Sequence, residues 1–326
     1  MAFGNVGTGI QQPPAQLIGT ANAITQKYIM PSLGDAVMQP SPVFWAMTRK
    51  GVQVQGGEIV YGIVNQEETT GGAYWGDQLL NTQVIDSIAP ATQVWRFYYE
   101  AIAIPVTDAI LNRGRGGVLS LIESKYEVAC SSFLMKLSRA LWHTSPQNTS
   151  IDIDDISSWV LSTTNTIAGI DRSVAANAFW KAAAVTNNGV SPLLPANAES
   201  AYQSAVWGYD EPDLLVIDRT KYAGFKSQFT QLTRFTGEQD QEAVQAGFRY
   251  HFLFNNAVVV PDAFVPSGTA WILNTKYLYP LFHEDDYFQV DPFVKPSNQR
   301  VVVSNMYLAW QLICQSPRMN APISNV

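Results

Sequence analysis

Charge is the scarcest commodity in this 326-residue chain: Asp, Glu, Lys and Arg together make up 14%, against about 25% in an ordinary globular protein. What charge there is sums to −7, and no Lys/Arg run occurs, which argues against a general nucleic-acid grip. The densest basic cluster is "NRGRGG" at 112–117. Histidine occurs three times and cysteine twice. Cys130 and Cys314 have no CxxC spacing, so neither a zinc site nor a disulfide framework is expected, and a reducing compartment fits. No apolar run reaches the ~18 residues of a membrane span, and the N-terminus lacks the basic and apolar regions of a signal peptide. Walker, GxSxG, HExxH and strand–GxGxxG–helix patterns are all missing, which removes the commonest phosphate, nucleophile and zinc chemistries.

Hydrophobic residues, in contrast, make up 47% and aromatics 12%. A chain this apolar and this poor in charge has material for a large core and for surfaces that partners cover. Length alone suggests about two domains.

Residues 1–26 carry no charged side chain and hold Pro13-Pro14 in their middle. Such a segment buries too little to fold alone; it reads either as a plain unstructured terminus or as an arm lying along a neighbour. Residues 31–48 read as a short helix after Pro31, then a proline-broken turn and an apolar segment. In "GVQVQGGEIVYGIV", 51–64, Val52, Val54, Ile59, Tyr61 and Ile63 alternate as in a strand, with Gly56-Gly57 turning or bulging it. A second strand is expected at 93–106. Nearly thirty polar, irregular residues separate them, far beyond a hairpin loop of about 2–5. Tyr74, Trp75, Leu79 and Leu80 near this tip would be exposed in a monomer, which implies docking.

Residues 117–143 hold the strongest helical pattern: Val118, Leu121, Ile122, Tyr126, Ala129, Cys130, Phe133, Leu137, Ala140 and Leu141 fall at i, i+3/i+4 spacing. Helices are expected at 155–169, 199–208 and 220–232. Strands are expected at 213–219, 256–262 and 269–281, the last leading into a turn. Residues 299–318 alternate like a strand pair covering the helix domain. The class is α+β.

Two acidic clusters invite chemistry. Glu238, Asp240 and Glu242 alternate by two, but a calcium loop wants D-x-[DN]-x-[DN]-G and a distant Glu; a solvated loop is favoured. His283, Glu284, Asp285 and Asp286 form a run without a zinc spacing, best read as a surface turn; a metal-dependent hydrolase built on these four is the rival from another class. Arg113 and Arg115 beside a helix start oppose its dipole, so an acidic neighbour would relieve them; phosphate binding and a flexible hinge are the alternatives for this stretch.

The order of these parts resembles the HK97-like major capsid proteins of tailed bacteriophages. "IPVTDAILNRG" at 104–114 looks like that family's link from hairpin to spine helix. The stretch from "DLLVIDRTKYAGFKSQ" through "VVVPD" and "GTAWILNTKYLYPL" is similar to its axial domain. The resemblance implies an N-terminal arm (1–30), an extended hairpin or E-loop (51–104), a peripheral domain (31–50, 105–147 and 287–326) with a long spine helix, and an axial domain (148–286). It implies a non-enzymatic subunit without cofactor or metal, assembling as pentamers and hexamers into an icosahedral shell around double-stranded DNA bound without sequence specificity. It would be made in the bacterial host cytoplasm and end in the virion capsid. A portal, a separate scaffolding protein and, on the outside, a cement protein would be partners; a membrane would not. Glu67, Glu68, Tyr74, Trp75, Leu79, Leu80, Arg113, Arg115, Glu238, Asp240 and Glu242 would be assembly contacts. Residues 51–124 contain no lysine, so no isopeptide cross-link from this hairpin is expected. An encapsulin-like compartment, sharing the fold, is the nearest alternative.

Overall fold

The computed structural model describes residues 41–67, 70–81, 83, 85–111, 115–142, 151–189, 192–229 and 252–326. It divides into two units: Phe97–Leu137 with Asp285–Ala309, and Ser41–Arg96 with Ser138–Glu284 and Trp310–Val326.

The first unit is built on one long helix and a small sheet. Strand β4 (Arg96–Pro105) leads into helix α2 (Val106–Leu111) and then α3 (Arg115–Leu141), 27 residues long, or about 40 Å at 1.5 Å per residue. Ile122, Tyr126, Ala129, Cys130, Phe133 and Leu137 form its buried stripe. Phe133 meets Phe288 edge-to-face, with 6.0 Å between ring centroids. Lys136 Nζ reaches Glu100 Oε2 at 2.5 Å, joining the helix to β4. The strand Val301–Cys314 (β14) pairs with β4 and, antiparallel, with β13 (Gln289–Val290).

The second unit holds a six-stranded sheet in the order β7-β15-β11-β8-β10-β9. These are Thr186–Asn187, Ala321–Ser324, Thr269–Leu273, Leu214–Asp218, Ala257–Asp262 and Phe252–Phe254. β8 is buried at every position, as a central strand covered on both faces must be; it runs parallel to β10 and antiparallel to β11. Helices at Pro195–Ala205 and Arg219–Phe229 pack on the sheet. Phe225 sits at the centre of their contact, touching the rings of Phe229, Phe252 and Phe254. Helix α1 (Pro42–Arg49) begins at Ser41, whose Oγ accepts from Phe44 N and donates to buried Asp262 at 2.5 Å. β12 (Leu278–His283) pairs antiparallel with the end of β14 and parallel with β1 (Val52–Val54).

Residues 51–64 turn at the Gly56-Gly57 pair, as expected, into two separate strands, and β2 (Ile59–Val64) pairs with β3 (Ile88–Gln93). Several expectations need correction. Residues 93–106 are interrupted at Val94-Trp95. The helix expected over 155–169 stops at Val160. Beyond it, Ala168 and Gly169 take positive φ (52° and 78°) and turn a two-stranded hairpin, Thr166–Ile167 with Ile170–Asp171; such a turn favours residues that tolerate left-handed backbone. Residues 43–49, read as a turn and apolar segment, are helical, because Pro42 is tolerated at a helix's first turn. The C-terminal stretch is one strand, not a pair: Val301–Ala309 belongs to the first unit and the rest to the second, where β15 pairs with β11. The short helix expected after Pro31 lies outside the described residues.

Candidate assembly surface

The β2–β3 hairpin follows from its alternation. Ile59, Tyr61 and Ile63 face inward with their register partners Gln93, Ala91 and Ala89. Ile59 packs with Trp95, Leu281 and Ile313. Polar groups pin the hairpin's root: Gln93 Nε2 donates to Asp154 Oδ2 (2.6 Å) and to Leu312 O (3.3 Å), Gln311 Nε2 to Val94 O (3.3 Å), and Trp95 Nε1 to Gly56 O (2.7 Å). Burial pushes the Asp154 carboxyl above the usual range; the bond from Gln93 and the nearby Arg96 pull the other way.

The opposite face, Thr92 aside, is apolar and exposed. Val60, Val64 and Ile88 are 59%, 71% and 62% exposed, with Gly62 and Pro90 between them. Between the two strands lies a stretch whose described residues form no further helix or strand. Its two ends are held together by Asn65 N donating to Ser87 O (3.0 Å) and Gln66 Nε2 donating to Asp86 O (2.9 Å). Tyr74, Trp75, Leu79 and Leu80 stand in this tip at 65%, 89%, 98% and 59% exposure. Burying the four would be worth roughly 1.5–3 kcal/mol each before ordering costs. From residue 51 to 95 the charged residues are Glu58, Glu67, Glu68, Asp77 and Asp86, with no Lys or Arg. An apolar partner surface with cations at its rim would suit this segment.

Of the residues singled out from the sequence, Glu67, Tyr74, Trp75, Leu79 and Leu80 therefore share one exposed segment. Arg115 opens α3, in a different stretch of chain. Glu68, Arg113, Glu238, Asp240 and Glu242 lie outside the described residues. His283 ends β12 and stacks edge-on to Trp95 (5.0 Å, 83°), while Glu284 N donates to Val54 O. Among the described residues no group of three or more His, Cys, Asp or Glu side chains comes together as a metal site.

The two thiols and, among the described residues, the one fully buried guanidinium have structural surroundings. Burial pushes the thiols of Cys130 and Cys314 up to about 12. Arg172, fully buried, donates through Nη1 to Ser158 O and Ser162 O (3.0 and 2.8 Å) and lies over the Trp159 ring. The Arg172 bonds tie its loop to the Ile156–Val160 helix and the residues just after it.

Comparison with known proteins follows from this geometry. A capsid subunit of Cyanophage A-1(L) superposes with a TM-score of 0.63 at 11% identity, covering 88% of this chain and 93% of that one. The fold is that of the phage capsid proteins. A chain of Mycobacterium phage Adephagia matches at 0.55 and 12% identity (88% and 90% covered). The SrpI encapsulin of Synechococcus elongatus PCC 7942 matches at 0.51 and 12% identity (86% and 87%). No family model and no curated protein sequence matches the chain. At such identities a shared fold survives while individual contacts are rewritten.

Sequence reading missed two exposed groups. Phe97 and Tyr99 stand out on one face of β4 at 69% and 66%. The turn Trp207–Asp210 carries two exposed aromatics. In both, the available signal was aromatics alternating with, or flanking, turn and polar residues where no core partner is needed.

Proposed function

We propose that this chain is the structural, non-enzymatic subunit of an icosahedral shell that encloses the double-stranded DNA of a tailed phage. The observation that carries the reading is the β2–β3 hairpin with its tip: a capsid-type fold presents an apolar ribbon face and four large side chains, 59–98% exposed, on a segment that its own unit leaves uncovered. In this reading α3 is the spine helix, residues 51–104 the extended hairpin over an adjacent subunit, residues 148–286 the axial domain at five-fold and six-fold axes, and residues 1–30 an arm. The net charge of −7 suits a wall that should not adhere to packaged DNA. A standard interface buries about 1,600 Å², and closure multiplies several such contacts per subunit. A portal, a separate scaffolding protein and an external cement protein are the partners this role would recruit.

Negative-stain microscopy of the expressed chain, with and without a scaffolding protein, tests the proposal. Closed particles of uniform size are expected; monomers under every condition would overturn it. The encapsulin reading has its own observation, the match to an encapsulin subunit over most of both chains. Small shells filled with protein cargo and lacking a portal vertex would decide for it; large shells with a portal would decide against it.

A further inference from the structure

The turn Trp207-Gly208-Tyr209-Asp210 is built rigidly and yet shows its aromatics to solvent. Trp207 N and O are each bonded to Asp210 O and N at 3.1 Å, and Gly208 supplies the positive φ of 64° that this tight turn requires. Asp210 is fixed from the other side by Lys276 Nζ (2.7 Å) and by the Tyr277 hydroxyl (2.5 Å). Arg318 lies with Cζ 3.3 Å from the centroid of the Trp207 ring. Despite this bracing Trp207 remains 52% exposed and Tyr209 wholly so. A fully exposed Tyr on a braced turn, next to a stacked Trp–Arg pair, contributes nothing to the core. It is pre-organised in the way interface anchors are.

We infer that this platform receives the Gln11-Gln12-Pro13-Pro14 segment from the N-terminus of a second copy. This rests on the shell reading and adds the site. The chemistry matches. A Pro-Pro segment favours the polyproline II conformation, which leaves its carbonyls without internal partners and offers flat rings to aromatic faces. Trp207 and Tyr209 supply the faces, and the Arg318 guanidinium supplies N–H donors for the carbonyls. Lys276 is already engaged by Asp210, so the platform offers little free charge of its own beyond Arg318; residues 1–26 have none. The tether is long: the 27 residues from Pro14 to Ser41 can extend about 90 Å.

The test places a photo-crosslinking benzoylphenylalanine at Tyr209 of the full chain, irradiates assembled particles and digests them with trypsin. The first Lys or Arg is Lys27, so the partner segment lies in one peptide, Met1–Lys27. A cross-link between that peptide and residue 209, between copies in isotope-mixed particles, is expected. Pro13→Ser with Pro14→Ser should cut its yield roughly fivefold or more. Cross-links only to other peptides, or none in particles that form normally, would overturn this inference and leave the shell reading standing. If the unmodified chain forms no particles, the shell reading falls and this inference with it. If only the double serine variant fails to assemble, the cross-link map of the parent particles decides.

Discussion

Changing both Trp75 and Leu79 to Ser separates an assembly surface from a core with one perturbation. In the free subunit both side chains already meet water, at 89% and 98% exposure, so their removal forfeits almost no intramolecular burial. The melting temperature of unassembled protein should move by no more than the equivalent of about 0.5 kcal/mol, the usual size for a surface substitution. For folded units of this size that is about 1–2 °C. Assembly should respond differently. If both side chains become buried between copies, each loses roughly 1.5–3 kcal/mol, or about 3–6 kcal/mol per subunit contact. Even half of that survives as a rise of about tenfold in the concentration needed for particles to form. Scanning calorimetry on the monomer, with light scattering and microscopy across a concentration series, reads the two quantities separately. A drop of several degrees in the free subunit, or particles forming at the original concentration, would refute the reasoning.

Other outcomes follow from single residues. Gly169→Ala should destabilise the second unit by about 1–2 kcal/mol, visible as a lower melting temperature, because φ is 78° there and an added Cβ would meet Thr92 Oγ1 at 3.0 Å. Asp210 has its carboxyl held below the usual range by bonds from Lys276 and Tyr277. Its contribution is therefore fully present above the unfolded value near 4 and is lost as pH falls through the lower folded value. The melting-temperature gap between wild type and Asp210→Asn should be constant from neutral pH to about 4 and close below it; a gap that persists in strong acid would refute this. Cys130 and Cys314, buried with thiols raised to about 12, should give no reaction with a disulfide reagent in the native chain and two equivalents in guanidinium.

Much of the architecture was legible because local pattern and burial agree. The i, i+3/i+4 stripe from Ile122 to Leu141 is a buried helix face, and the apolar runs at 214–218 and 257–262 are strands buried on most or all positions. The reading failed where a short apolar stretch fits two periods. "DISSWVLSTTNTIAG" has helical spacing, yet Ala168-Gly169 turns it into a hairpin, and Thr92 N donates to Ala168 O at 3.0 Å. That bond comes from a residue 76 positions away, which no window of neighbours can register.

By itself the order of residues determined the class of this protein: little charge, abundant aromatics, one long helical stripe, and a polar insertion carrying Trp75 and Leu79 with no local partner. Those are properties of composition and spacing, and they survive without coordinates. Only the tertiary structure decided which side of each strand meets water. Val60 and Ile59 are adjacent and equally apolar, but pairing of β2 with β3 over Trp95, Leu281 and Ile313 buries Ile59 and leaves Val60 outside. Likewise Arg318 and Trp207, more than a hundred residues apart, become one stacked pair only when the turn before β15 folds back against the Pro195–Ala205 helix. Exposure depends on what arrives from distant parts of the chain, and that is settled by packing.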